Sequence, residues 1–80
     1  MPLITLTLSN VTNMNNMFAN ATSLNQDISS WDTSNVTTMA HMFANSTSFN
    51  QDLSSWSVTN VTDHTNFSLN WAGGTEPTWP

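Results

Sequence analysis

The chain contains 80 residues, of which five are acidic and none is Lys, Arg or Cys, so its formal net charge is −5. A chain of this length forms at most one small domain, and without Cys it has no disulfide framework to stabilise it. The lack of cationic side chains argues against nucleic-acid binding, which needs Lys or Arg opposite the phosphates. No run of apolar residues approaches the length of a membrane-spanning helix, which is about 20 residues. We therefore expect no nucleic-acid partner and no membrane insertion.

The organising feature of the chain is an internal repeat with a period of 25 residues. When residues 34–56 are aligned with residues 9–31, 17 of the 23 pairs are identical, and a third copy starts at Thr59 and then diverges. Repeats of about 20 to 50 residues bury their apolar faces by stacking on their neighbours. We therefore predict a single domain over residues 1–80, composed of a half-repeat strand (1–8), two full repeats (9–33 and 34–58) and a degenerate repeat with a C-terminal cap (59–80).

Each repeat is predicted to contribute one short strand. Apolar and polar residues alternate at Leu6-Thr7-Leu8, and the pattern recurs from Trp31 to Thr33 and from Trp56 to Val58. A period of two residues is typical of a strand with one buried face. Because equivalent positions lie 25 residues apart, we expect these strands to lie side by side in a parallel sheet.

The segment after each strand has the apolar spacing of a short helix. Val11, Met14 and Phe18 follow the spacing i, i+3 and i+7, which places them on one helical face. Asn20 and Asn45 come just after this stripe, where we predict the left-handed conformation that often ends a helix. The predicted fold class is therefore an α/β repeat solenoid, with short parallel strands stacked on one another and one short helix in each repeat.

The string Phe49-Asn-Gln-Asp-Leu-Ser-Ser-Trp56, with Asn-Val-Thr-x-Met-x-x-Met-Phe ahead of it, resembles a known repeat. It is similar to the roughly 25-residue repeat of bacterial surface proteins and lipoproteins, a family related to the BspA-like leucine-rich repeats. The resemblance covers about residues 9–63. It implies a leucine-rich-repeat-like solenoid that lies outside the cell or on its surface and acts in adhesion or interaction, and it carries over no enzymatic residues.

No catalytic constellation is visible among the residues that carry acid–base chemistry. The chain has two histidines, His41 and His64. Asp63 and His64 are consecutive in the sequence, and the side chains of consecutive residues seldom point the same way, as a catalytic triad would require. We therefore predict that the protein is not an enzyme and binds no cofactor. Asp27 and Asp52 are equivalent positions beside Asn and Gln, which makes them a candidate calcium site. The alternative, which we favour, is that each carboxylate accepts hydrogen bonds from backbone amides and faces the solvent.

Two further features carry opposing interpretations. The glycosylation signal Asn-x-Ser/Thr occurs at six positions: Asn10, Asn20, Asn35, Asn45, Asn60 and Asn66. The alternative is structural, with Asn10, Asn35 and Asn60 as an internal ladder that bonds backbone groups. Trp31 and Trp56 are equivalent positions that either pack in the stack, which we favour, or form an aromatic platform for a glycan.

The first strand has no polar capping element ahead of it, so its edge is expected to pair with another chain. The residues predicted to take part in this self-association are apolar residues near the two ends: Leu3, Ile4, Leu6, Leu8, Trp71 and Trp79. A head-to-tail contact between unlike ends does not close, so it builds a filament. The leading hypothesis is a non-catalytic, extracellular or cell-surface structural protein that associates with itself into a fibre or surface layer. The alternatives are an adhesion module for a host surface protein or a glycan, and a fragment of a longer adhesin array.

Overall fold

The computed structural model describes residues 10–80, and within this range it contains no helix and two short strands. These are β1 (Asn50–Asp52) and β2 (Gly73–Thr75). They pair in parallel, with Asn50 opposite Gly73. Isolated parallel bridges also join Asn13 to Thr38 and Thr38 to Asp63. None of the described residues belongs to a helix that could cross a membrane.

The predicted α/β solenoid with a helix in each repeat is therefore wrong. The segments from Trp31 to Thr33 and from Trp56 to Val58 are not strands, and the predicted strand at residues 6–8 lies outside the described residues. The predicted helices are turns, because Asn16 and His41 have φ angles of 60° and 58° in the middle of them. A positive φ interrupts the i to i−4 hydrogen bonds of an α-helix.

The first repeat shows how the turns follow one another. The N–H of Met17 donates to the carbonyl of Met14 at 3.3 Å, and the same i to i−3 bond links Ala19 to Asn16 and Ala21 to Phe18. The third residues of two of these turns, Asn16 and Asn20, have positive φ, as a type II turn requires. Asn45 also has a φ of 61°. The left-handed conformation predicted for Asn20 and Asn45 is thus confirmed, although both residues belong to turns and not to helix ends.

The repeats form three layers: layer 1 (residues 10–33), layer 2 (residues 34–58) and layer 3 (residues 59–80). Four alternate amides of layer 1 donate to layer 2 at 2.8–3.0 Å, in the pairs Met14–Thr38, Asn16–Ala40, Phe18–Met42 and Asn20–Ala44. Layer 2 donates to layer 3 in the same way at 2.7–2.9 Å, in the pairs Met39–Asp63, His41–Thr65, Phe43–Phe67 and Asn45–Leu69. Amides that a helix would satisfy internally therefore bind the next layer.

The apolar core lies between the layers and is centred on Phe43, which is fully buried. Its ring stacks on Phe49 of its own layer, with centroids 4.3 Å apart, and on Phe18 of layer 1 at 5.5 Å. Phe67 of layer 3 meets it edge on at 5.2 Å. Since aromatic pairs in these geometries are stabilising beyond their buried area, the ring of Phe43 links all three layers.

Layer 3 departs from the 25-residue period. Asn70 lies 25 residues after its hydrogen-bond partner Asn45, whereas Gly73 lies 23 residues after its strand partner Asn50. The last repeat is therefore two residues shorter at this corner, and β2 comes close to β1. A Cβ atom at Gly74, where φ is 110°, would clash with the backbone carbonyl of Gln51, so this approach requires glycine.

Candidate functional site: the two ends of the stack

The two ends of the stack present backbone groups of opposite kind. Four backbone amides of layer 3 occupy the positions from which layers 1 and 2 donate to the layer that follows. They donate no hydrogen bond to a residue in the described range, and they belong to His64, Asn66, Ser68 and Asn70. Four backbone carbonyls of layer 1 occupy the positions that accept hydrogen bonds in layer 2. They accept no hydrogen bond from a described residue, and they belong to Asn13, Asn15, Met17 and Ala19. We call these the amide end and the carbonyl end.

Four peptide groups of layer 2 point the same way along the stack. In layer 2, the peptide that joins Thr38 to Met39 accepts a hydrogen bond from layer 1 through its oxygen and donates one to layer 3 through its nitrogen. The peptides that join residues 40–41, 42–43 and 44–45 do the same. Each peptide dipole is about 3.5 D, and parallel dipoles add. Through these four peptides the amide end gains partial positive charge and the carbonyl end partial negative charge, whereas the peptide that joins Thr37 to Thr38 points the opposite way.

A column of asparagine side chains donates in the opposite direction, from each layer back to the preceding one. Nδ2 of Asn45 donates to Oδ1 of Asn20 at 3.1 Å, and Nδ2 of Asn70 donates to Oδ1 of Asn45 at 3.0 Å. The column leaves a donor, Nδ2 of Asn20, at the carbonyl end and an acceptor, Oδ1 of Asn70, at the amide end. All three side chains are exposed, so both groups are accessible to a further copy of the repeat.

A threonine column runs beside them with directional ends of its own. The backbone N–H and the hydroxyl of Thr37 both donate to the carbonyl of Thr12, at 2.7 and 3.0 Å. Thr62 binds the carbonyl of Thr37 in the same way, at 2.8 and 3.2 Å. Within residues 10–80, the carbonyl of Thr62 accepts no hydrogen bond. It is the acceptor that the next threonine of such a column would use.

A family model described as a Mycoplasma protein of unknown function, DUF285, matches residues 2–71. The chain belongs to this DUF285 family. The match includes both full repeats and the start of the third, in agreement with the repeat family expected from the sequence. No curated protein and no solved structure matches the chain. Residues 72–80 of this DUF285 chain follow the matched range, and they include β2.

The structure places the predicted self-association residues at different depths. Trp71 is half-buried and stacks on Phe49 with centroids 5.8 Å apart. Trp79 lies against layer 3, where its ring stacks on that of His64 at 4.0 Å and meets Phe67 edge on at 4.9 Å. The other four, Leu3, Ile4, Leu6 and Leu8, lie outside the described residues. Within the DUF285 chain, Trp71 therefore packs against layer 2 and Trp79 against layer 3.

The candidate calcium ligands Asp27 and Asp52 are exposed. Oδ1 of Asp27 accepts hydrogen bonds from the N–H and the hydroxyl of Ser29, at 3.0 and 2.7 Å, which together hold the pKa of this carboxyl below its ordinary value. Oδ1 of Asp52 accepts the N–H of Ser54 at 2.9 Å. This is the geometry of the solvent-facing alternative. No group of three or more potential metal ligands lies close together within residues 10–80, and the calcium site stays a prediction.

The six candidate glycosylation residues, Asn10, Asn20, Asn35, Asn45, Asn60 and Asn66, are all exposed. Nδ2, the atom a glycan would modify, contacts another described residue in Asn45, Asn60 and Asn66. Asn45 binds Asn20, Asn60 donates to the carbonyl of Ser34 at 2.8 Å, and Asn66 lies 3.2 Å from Nε2 of His41. A glycan at any of these three positions would replace a contact between layers. The bond from Asn60 is of the kind predicted for an internal ladder to the backbone.

The tryptophans of the predicted glycan platform face inward. Trp56 is 4% exposed, and its Nε1 donates to the carbonyl of Ile28 in the preceding layer at 3.1 Å. Trp31 is half-buried and lies 5.7 Å from Phe18, ring centre to ring centre. Because a sugar ring stacks on an exposed aromatic face, Trp56 offers no platform and Trp31 only part of one.

The histidines do not meet at a common site. His41 is half-buried and left-handed, whereas the ring of His64 stacks on that of Trp79. The carboxylate of Asp63 binds Thr65 and not a histidine, since its Oδ1 accepts hydrogen bonds from the N–H and the hydroxyl of Thr65 at 3.0 and 2.7 Å. These bonds, with smaller contributions from the two imidazoles, lower the pKa of Asp63. The described geometry thus supplies hydrogen-bonded turns at these residues and no nucleophile–base pair.

Proposed function

We propose that this DUF285 chain is a non-catalytic structural protein that associates with itself end to end. The observation that supports the proposal is the opposite polarity of the two ends, which present four donors and four acceptors at equivalent positions. A second copy whose carbonyl end sits on the amide end of the first would continue the pattern found inside one chain. Unpaired backbone edges of this kind invite pairing with another chain.

The register of the contact follows from the register within the chain. The four amides that end with Asn70 would donate to the four carbonyls that begin with Asn13 in the second copy, as layer 1 donates to layer 2. Asn20 of the second copy would then donate its Nδ2 to Oδ1 of Asn70, which extends the asparagine column. Because the contact joins unlike ends, it leaves a donor end and an acceptor end open and builds a filament.

Net charge opposes this association, and it does so in a measurable way. Each copy carries a formal charge of −5 with no Lys or Arg, so copies repel one another at low ionic strength. Added salt screens charges that are more than about 10 Å apart at 0.1 M. Association through hydrogen bonds and apolar contacts should therefore increase with salt, whereas association through ion pairs would decrease.

An extracellular or cell-surface location is part of the same proposal. It is supported by the resemblance of residues 49–56 to repeats of bacterial surface proteins, and by the lack of Lys and Arg, which leaves no site for proteases that cleave after them. The relation to BspA-like leucine-rich repeats is proposed on the same residues. A fibre or surface layer at the cell exterior is the setting that we expect for such a stack.

The test is light scattering coupled to size exclusion over a range of protein and salt concentrations. We expect native particles well above 8.8 kDa that grow with both concentrations. Asn20→Asp is the diagnostic variant, because the carboxylate still accepts the bond from Asn45 but cannot donate to Asn70 of another copy. It should reduce association, whereas Thr47→Asp, which adds the same charge at an exposed site in layer 2, should not.

Two results would contradict the proposal. One is a native chain that stays at 8.8 kDa at every concentration and in high salt, together with an Asn20→Asp variant that behaves identically. The other is a monomer that binds a glycan or a host protein saturably, which would favour the adhesion module. Particles that dissolve when salt is added would point to a charge-driven contact that is different from the one proposed.

A further inference from the structure

Residues 76–80 lie on the amide end of layer 3. The ring of Trp79 is almost parallel to that of His64, with an interplanar angle of 9° and centroids 4.0 Å apart. Pro77 is buried. Glu76 uses both carboxylate oxygens, since Oε2 accepts the hydroxyl of Ser68 and Oε1 accepts Nε1 of Trp79, each at 2.9 Å. The segment is therefore held by one stacked ring, one buried proline and one doubly bonded carboxylate.

Trp79 takes the position that a further layer would fill. His64 is equivalent to Met14 and Met39, which are 1% and 0% exposed and belong to layers that are followed by a further layer. Phe67 shows the same relationship, since it is met edge on by Phe43 of layer 2 at 74° and by Trp79 at 78°. On layer 3, the segment supplies the apolar contacts that one layer receives from the next.

Glu76 also matches the electrostatics of this end. Its carboxylate binds Ser68, whose backbone N–H is one of the four donors of the amide end that have no partner within residues 10–80. Aligned peptide dipoles favour a negative charge at their N–H end, so a carboxylate is stabilised there. The carbonyl end of a second copy brings partial negative charge to the same place. The segment and a second copy thus offer the amide end the same two things, apolar cover and negative charge.

We infer that residues 76–80 and layer 1 of a second copy compete for the amide end of layer 3. The inference rests on the proposed end-to-end association and adds the surface at which it is controlled. Residues 76–80 lie beyond residues 2–71, the range that matches the DUF285 family. A chain whose segment is closed does not bind a second copy. The apparent affinity is therefore the affinity of the open chain multiplied by the fraction of chains that are open.

Two variants of the full chain test the competition by removing different anchors. Trp79→Ala removes the ring on His64, and Glu76→Ala removes both carboxylate bonds. Thr78→Ala, at an exposed position in the same segment, is the matched control. Loss of either anchor is expected to lower the protein concentration at which half of the mass is in particles by about tenfold, since one stacked pair or two hydrogen bonds correspond to about that change. Thr78→Ala should leave it unchanged.

Amide hydrogen exchange of Met39, His41, Phe43 and Asn45 shows whether the variants keep the stack, because these amides bind layer 3 and do not touch the segment. We expect them to stay protected. Loss of their protection would show that the segment holds the fold together, which overturns the inference. Equal association of the native chain and both variants would also overturn it while leaving the proposed function in place. If no chain associates at any concentration, the proposed function itself fails.

Discussion

Asn45 donates a hydrogen bond from Nδ2 to Oδ1 of Asn20, which occupies the same position one repeat earlier, at 3.1 Å. Asn70 repeats this bond to Asn45, and all three residues have φ between 59° and 62°. Asn is the residue that combines tolerance of this backbone conformation with a side chain that both donates and accepts. One residue type therefore satisfies the turn and the contact between layers at the same time.

Asn45→Ala is expected to lower the free energy of unfolding by about 2 kcal/mol, because it forces Ala into the left-handed region and removes two neutral hydrogen bonds. Asn45→Gly should cost about 1 kcal/mol, since Gly adopts this conformation without strain. Urea unfolding measures both, with Thr47→Ala as an exposed control that should change stability by less than about 0.5 kcal/mol. Equal losses for Ala and Gly would mean that the backbone conformation contributes nothing.

The period, the stacking of equivalent positions and the left-handed conformation of Asn20 and Asn45 were predictable from the sequence, whereas the turns in place of the predicted helices were not. Val11, Met14 and Phe18 reach one side of a helix, but successive turns also bring residues three or four apart to one side. What separates the two structures is the conformation of Asn16 and His41. The residue type alone does not predict a positive φ at either position, although Asn adopts a positive φ more readily than most residues.

The sequence predicted that the stack has two unlike ends but not the polarity of those ends. Stacked repeats must have two unlike ends, which is why a head-to-tail contact was expected. Which end carries donors depends on the orientation of peptides such as the one that joins Thr38 to Met39, and side-chain patterns do not encode that orientation.

The sequence also contains a local signal for turns. Four aspartates have Ser or Thr two residues later, and such pairs make the short-range hydrogen bonds of turns. These are Asp27, Asp32, Asp52 and Asp63.

Gly74→Ala is expected to destabilise the pairing of β1 with β2 by about 3 kcal/mol, because the new Cβ meets the backbone of Gln51 at a φ that only Gly adopts easily. Gly73→Ala is the matched control, since its Cβ would meet only the side chain of Asn50 at 3.4 Å, and we expect a cost of about 1 kcal/mol. Thermal unfolding compares the two. The amide of Leu53, which donates to Thr75 at 2.9 Å, should lose exchange protection in Gly74→Ala alone.

Phe43→Leu is expected to cost about 1.5 kcal/mol, because Leu fills much of the space but loses the ring contacts with Phe18, Phe49 and Phe67. A milder change than Ala is chosen since a domain of this size has little stability to lose. Leu69→Ala is the control, because Leu69 is 44% exposed and should change stability by less than about 0.5 kcal/mol. Comparable losses in urea unfolding would mean that Phe43 does not link the layers.

Stability should also fall in acid, and the direction follows from the four turn aspartates. The hydrogen bonds that each accepts from the residue two positions later lower its pKa in the folded chain, below the value of about 3.9 expected when unfolded. The unfolded chain therefore binds more protons in this window, so stability rises with pH there. It should be fully present above about pH 5 and be lost as the pH falls below about 4.

Replacing all four aspartates by Asn separates this effect from charge repulsion. Asn Oδ1 still accepts the N–H two residues on, but it does not titrate, so the variant should unfold at nearly the same urea concentration from pH 6 to about pH 3. Glu76→Gln, which changes an acid outside these turns, should keep the acid sensitivity of the native chain. Repulsion among five acids with no cations acts in the opposite direction, because protonation relieves it. A native chain that is more stable at pH 3 than at pH 6 would therefore mean that repulsion outweighs the hydrogen bonds of the turns.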